Sequence, residues 1–200
     1  MEINPLIFNP FAGKNFNIQN ASHEYYIVKS GDSLWKIALA HQIGLSELIA
    51  ANPQIANPDL IFPDQKIRIP LPNSTADSME AEVARLINME RQKQGVPPLQ
   101  VNWQLGRVAR YKSEDMKKNN YFDHISPTFG TPFEMIRDFG ISFNTAAENI
   151  ARGQQSAQGV VHSWMNSQNH RANILNPSFT ETGVGYTDGS MPYWTQMFIG

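Results

Sequence analysis

The sequence predicts an α+β protein: a small βααβ module followed by a larger domain of helices around a sheet. Three observations carry that prediction. Between Tyr25 and Pro70, a strand-like run, two short apolar patterns at helical spacing and an alternating run follow one another. From Asp77 to Gln168, apolar residues recur in blocks at helical spacing. Beyond Thr182 the period changes to that of strands, around an Asp188-Gly189 turn.

In the first module, Tyr25-Tyr26-Ile27-Val28 forms the opening strand, and Ser30-Gly31-Asp32-Ser33 turns the chain. Leu34, Ile37 and Ala38 mark one helix. After a break at Gly44, Leu45, Leu48 and Ile49 mark a second. Asn52-Pro53 and Asn57-Pro58-Asp59 punctuate the next stretch, and Lys66-Ile67-Arg68-Ile69 alternates as a closing strand. Pro70 to Ala76 is rich in Pro and polar residues without periodicity, as a linker is. Asp77 stands three residues before Glu80, the spacing of a capping box, and Met79, Val83, Leu86, Ile87 and Glu90 continue as a helix. Gly95 and Pro97-Pro98 stop it. A second helix is marked by Leu105, Val108, Ala109, Lys112 and Met116, and a third runs from Pro132 to Phe139. Val160, Val161, Trp164 and Gln168 outline a fourth. Thr182–Tyr186 and Tyr193–Ile199 are expected to pair, with Trp194, Gln196 and Phe198 on one face. The expected divisions are a leader at 1–23, the small module at 24–70, a linker at 71–77 and the second domain at 78–200.

Two hundred residues, 41% hydrophobic, suffice for a small domain plus a medium one. A net charge of −2 argues against nucleic acid as a partner, because neutralising phosphates needs a basic face. There is no cysteine, hence no disulfide framework and no thiolate chemistry. No apolar run approaches the roughly 18 residues of a membrane span. Residues 1–23 lack the basic start and apolar core of a secretory signal. Removal of a signal, another export route and assembly onto a surface from inside a cell all remain open. The leader reads as a flexible tail, with docking of Phe8, Phe11 and Phe16 as the alternative.

The first module resembles the LysM domain, through Gly31-Asp32-Ser33-Leu34-Trp35, Asn52-Pro53 and Leu60-Ile61-Phe62-Pro63. That resemblance implies binding of N-acetylglucosamine-containing glycans, such as peptidoglycan or chitin oligomers. The expected contact residues are Gly31, Asp32, Ser33, Leu34, Asn52, Pro53, Asp59, Leu60 and Ile61. Backbone groups would hold the acetamido group, with apolar side chains beneath the ring. Gly31 permits close backbone approach. Leu34 and Leu60 have the alternative of being plain core residues, since a tiny domain spends most of its apolar residues inside.

The second domain resembles the bacterial form of the CAP superfamily, also called SCP-like domains. The resemblance rests on Asn88, Arg91, Gly95, Pro98, Leu99, Leu105, Ala109, Ser113 and Met116. It continues through Tyr121-Phe122-Asp123-His124, Ala147-Glu148-Asn149-Ile150, Trp164-Met165-Asn166-Ser167 and His170-Arg171-Ala172-Asn173-Ile174-Leu175. It ends at Gly183-Val184-Gly185 and Tyr193-Trp194-Thr195-Gln196. It implies a three-layer α-β-α sandwich with a cleft lined by His124, Glu148, Asn149, Ser167, His170, Tyr193 and Gln196. Family members place two histidines and two glutamates in that cleft, sometimes around zinc. His124 and Glu148 match one of each, whereas Ser167 and Tyr193 stand where the second pair is expected.

Glu148 lies between apolar residues, so its carboxylate needs a partner, and imidazole is the natural one. His124 and Glu148 are therefore the candidates for chemistry, with structural hydrogen bonding, ligand contact without metal and metal binding as the three possible roles. Two matched ligands fall short of the three that zinc requires, so no metal and no cofactor are expected. His170 can either replace a missing ligand or, with Arg171, cap helix carbonyls. Tyr193 is a candidate hydrogen-bond donor to Glu148. Gly183 and Gly185 lack the context of a phosphate loop, and Ser126 lacks a demonstrated acid partner. His162 is read as a surface or interhelix residue, and Trp103, Trp164 and Trp194 as core. The combined expectation is a glycan-binding accessory protein of a bacterial envelope or spore surface, extracellular, with a possible protein partner at the second domain. The alternatives are a wall-targeted hydrolase and a peptide- or lipid-binding scaffold.

Overall fold

The computed structural model describes residues 23–70 and 74–200, and the chain divides into two compact units at Asn73/Ser74. The residues read as a leader, except His23, and Leu71, Pro72 and Asn73 of the linker lie outside the described residues.

The first unit runs β1 (His23–Ile27), α1 (Leu34–Ala40), α2 (Leu45–Ala51) and β2 (Lys66–Pro70). The strands pair antiparallel from His23↔Pro70 to Ile27↔Lys66. Gly31 makes the turn with φ of 86°, a conformation that disfavours a Cβ. Ser33 then caps α1 by accepting the Lys36 N–H. Val28, Leu34, Ile37, Ala38, Ile43, Leu48, Ile55, Ile67 and Ile69 form a core from α1, α2, β2 and the connections, with Tyr26 of β1 packed against it.

The second unit contains α3 (Ser74–Lys93), β3 (Gln100–Val101), α4 (Trp103–Lys118), α5 (Pro132–Asp138), β4 (Ala146–Arg152), α6 (Ala157–Asn166), α7 (Gln168–Ile174), β5 (Glu181–Thr187) and β6 (Tyr193–Ile199). The sheet order is β3-β5-β6-β4, with β3 parallel to β5 and the other pairs antiparallel. Val184, Tyr186, Trp194 and Phe198 share a core with Val83 and Ile87 of α3, Val160 and Trp164 of α6, and Ile174 of α7. Successive strand residues point to opposite faces. Gly183 and Gly185 accordingly face α4, where a Cβ would overlap the backbone at Leu105-Gly106 and Ala109-Arg110. Ser113 of α4 donates to the Gly185 carbonyl at 3.1 Å or, through the same hydroxyl, to Thr195 Oγ1 at 2.8 Å. The result is helix, sheet, helix in three layers, with every residue of β6 buried.

Several local expectations are corrected. α3 begins at Ser74, so residues 74–77 are helical and Asp77 is not its cap. Asp77 and Glu80 instead receive the Arg110 guanidinium, and Glu80 also accepts the Tyr186 N–H at 2.9 Å. That carboxylate covers the edge of β5 beyond the two residues that β3 pairs. The fourth helical pattern breaks at Ser167 into α6 and α7. Strands β3 and β4 were not expected, β3 because it is two residues long and β4 because Ala-Ala-Glu-Asn shows no alternation. Trp164 and Trp194 are fully buried, but Trp103 is only partly so, beneath Arg107. Arg91, 1% exposed, donates to the carbonyls of Pro97, Ile174, Asn176 and Phe179, tying α3 to the chain that follows α7.

Candidate functional site

Lys112 and Asp115 sit one turn apart on α4 and organise the loop that carries His124. Asp115 is its hub. Its carboxylate accepts from Tyr121 Oη and Ser126 Oγ at 2.6 Å each, from Thr128 Oγ1 at 2.6 Å and from Asn119 Nδ2 at 2.7 Å. Ser126 thus has an acid partner after all. Its Oγ also accepts the N–H groups of Thr128 and Phe129 and the residue is 3% exposed, so it is a loop brace rather than a nucleophile. Lys112, 1% exposed, donates to the His124 carbonyl at 2.8 Å and to Tyr121 Oη at 3.3 Å. Sequence reasoning missed Lys112 and Asp115 as site residues. A lysine at a core-facing helical position was the available signal.

Against that loop, β4 presents Glu148. His124 Nδ1 and Glu148 Oε1 are 2.7 Å apart, with the imidazole 52% exposed and the carboxylate 2% exposed. Burial pushes the Glu148 carboxyl above its ordinary value, against the pull of His124 and Lys112. The hydrogen bond to Glu148 raises the His124 imidazole, against partial burial and the Lys112 charge. Both directions say that the pair holds its proton more tightly than free side chains would. Glu148 Oε2 is buried without a hydrogen-bond partner. Tyr193 does not supply one. It is buried against Met116, Ile150 and Tyr121, with its ring 6.5 Å from that of Phe122.

The other cleft residues divide between the faces of the sheet. Asn149 and Gln196 are register partners, both fully buried, on the face opposite Glu148. Asn149 donates to the His170 carbonyl and accepts from Asn173 at 2.9 Å, which docks α7. Gln196 donates to Thr182 Oγ1 at 3.2 Å. Ser167 occupies the N-cap of α7 without a side-chain cap bond. His170 is partly buried; desolvation lowers its imidazole and the His124 charge lowers it further, so the two rings lie within electrostatic reach. The free side of β4 is closed by Trp164 Nε1, donating to the Ile150 carbonyl at 3.3 Å, and by Asn173 Nδ2, 3.4 Å from the Glu148 carbonyl.

A zinc site would need three such donors converging. Among the described residues no group of three His, Cys, Asp or Glu side chains does so. One imidazole and one carboxylate beside a buried ammonium do not fit a divalent ion.

In the first unit the expected glycan contacts also divide. Leu34 is 2% exposed and belongs to the core. Asn52, 1% exposed, is a latch: its amide donates to the carbonyls of Leu48 and Arg68, and its oxygen accepts the Arg68 N–H. Asp32 accepts from Tyr26 Oη and from the Lys29 N–H, both at 2.8 Å, bracing the turn. Those two hydrogen bonds hold its carboxyl below the usual range. Ser33 is the helix cap already described, and Ile61 packs against the core. Gly31, Pro53, Asp59 and Leu60 are exposed, Leu60 at 54%. Phe62 beside it, 59% exposed, was not named as a contact.

The family comparisons agree with this architecture. Residues 84–198 match the model of the cysteine-rich secretory protein family, CAP, and residues 26–70 match the LysM domain. The uncharacterized protein YkwD of Bacillus subtilis is 57% identical over 127 residues, 64% of this chain and 49% of that protein. The spore coat assembly protein ExsA of Bacillus cereus is 47% identical over 45 residues, 22% of this chain and 7% of that protein. Among solved structures, an extracellular SCP-domain protein of Bacillus anthracis has a TM-score of 0.60 at 35% identity, over 68% of this chain and 46% of that one. The chain therefore spans about half or less of the length of these relatives. With more than half of its residues inside the CAP match and a LysM match ahead of it, this chain belongs to the CAP family and carries a LysM domain.

Proposed function

We propose that this chain is a glycan-anchored accessory protein of a bacterial cell wall or spore surface, its LysM domain holding it on N-acetylglucosamine-containing chains while the CAP domain acts as effector. The observation that carries the proposal is the LysM surface itself. Gly31 has no side chain to keep a ligand from the backbone of its exposed turn, and Leu60 and Phe62 stand apolar in water, the pairing that acetamido sugars require. The likeness over 45 residues to a protein named for spore coat assembly supports the location. No helix among the described residues is long and apolar enough to cross a membrane. Shallow subsites predict a Kd on the order of micromolar to millimolar for chito-oligomers, with chains preferred over the monomer. Calorimetry on the whole chain tests this, and Leu60→Ala should weaken binding without unfolding the domain. Absence of heat with a folded protein would remove the proposal.

A hydrolase is the second reading, favoured by one observation. Glu148 holds Nδ1 of His124 while half of the imidazole faces solvent, which is the arrangement of an oriented general base. Turnover of purified wall, lost in His124→Ala and Glu148→Ala, would establish it. Binding without turnover would leave the cleft as a site for a peptide or protein partner.

A further inference from the structure

We propose that Lys112 is the cleft's own cation: its buried ammonium, fixed beneath the His124 loop, balances the Glu148 carboxylate and makes the His124–Glu148 pair a metal-independent acid–base unit. The geometry is built for this. The Lys112 residue is 1% exposed, yet its ammonium takes only a carbonyl, a phenol oxygen and the Tyr121 ring 5.0 Å away as near partners. None of these carries a negative charge. A buried ammonium without charge balance is costly, and the field of nearby carboxylates must supply it. Glu148 is first among them, with Asp115 and Asp123 after it. Glu148 has the complementary deficit. One of its oxygens meets His124 and the other meets no donor at all. Its remaining charge is therefore stabilised through space rather than by a hydrogen bond.

The charged and titratable groups around the pair come from several elements. They are Lys112 and Asp115 from α4, Tyr121 and Asp123 from the loop, Glu148 from β4 and His170 from α7. Burial lowers the Lys112 ammonium from its ordinary value, while Glu148, Asp115 and Asp123 hold it up; it is the one lysine in that set, beside two histidines that titrate near neutral pH. A divalent ion placed beside Glu148 would meet its repulsion as well as too few ligands. Lys112 is thus a positioning residue, acting on His124 through charge and through the loop carbonyl. The inference concerns the cleft alone and is independent of glycan binding by the LysM domain.

The test follows the His124 ring resonance by NMR across pH in the whole chain. Removing the ammonium in Lys112→Met should raise the His124 pKa further, because a repelling charge is gone. Lys112→Arg, which keeps the charge, should leave it near the wild-type value. A merely structural role gives the opposite sign, since a loosened loop would release His124 into water and let its pKa fall. An unchanged or lowered pKa in folded Lys112→Met, or equal shifts in both variants, overturns the proposal. Should Lys112→Met fail to fold, Glu148→Gln gives a second measurement, in which the Lys112 Nζ titration must move to lower pH. Zinc added to the wild type should leave the His124 resonance unmoved. A stoichiometric change would refute metal independence.

Discussion

Replacing Asn52 by alanine distinguishes a sugar contact from a structural latch. The side chain makes two donor bonds, to Leu48 O at 2.8 Å and Arg68 O at 2.7 Å, and two acceptor bonds, from Arg68 N at 2.7 Å and Gln54 Nε2 at 2.9 Å. The two bonds with Arg68 join the end of α2 to β2, sixteen residues apart in sequence. Each bond is worth about 0.5–1.5 kcal/mol net, and backbone groups left unpaired cost more, so the loss should be about 2–4 kcal/mol. A core this small supplies no more than about 3–5 kcal/mol in total. Asn52→Ala should therefore remove most of the stability of the LysM domain while leaving the CAP domain intact. Urea titration followed by the amides of Leu48 and Ile67, against those of Val184 and Trp194, reads the two units separately. A LysM midpoint within about 0.5 kcal/mol of wild type, combined with lost chito-oligomer binding, would refute the argument and return Asn52 to the sugar site.

Three other outcomes are expected. In Glu148→Gln the His124 pKa should fall, since the hydrogen bond that raises it is weakened; ring resonances read it. Because the folded value is raised, His124 contributes stability that is complete below its unfolded pKa and disappears as pH rises through the folded one. A denaturation series across that window should lose this slope in the variant. Elemental analysis of purified protein should find less than about one zinc per ten chains, and added zinc should not move the unfolding midpoint, because an ion that does not bind the native state cannot stabilise it. Gly185→Ala should destabilise the CAP domain by about 1–3 kcal/mol or more, since its Cβ would overlap the α4 backbone at Ala109 and Arg110; thermal unfolding measures it.

Periodicity and turn chemistry by themselves determined most of the elements. The βααβ order, the helices beginning near Trp103 and Pro132, and the hairpin at Asp188-Gly189 are set by local pattern, because amphipathic spacing and turn residues act within a few positions. The Glu148 carboxylate also announced its need for a partner, and His124 is that partner. Tertiary structure decided the rest. β4 became a strand through its pairing with β6 rather than through its own residues, and Gly183 and Gly185 matter because α4 lies directly on them. Alternation along β4 sent Asn149 to the face opposite Glu148, which no list of motif residues reveals. Lys112 looked like one more helical position until the fold buried it beneath the His124 loop. Burial is a property of what packs around a residue, and that packing comes from segments distant in sequence.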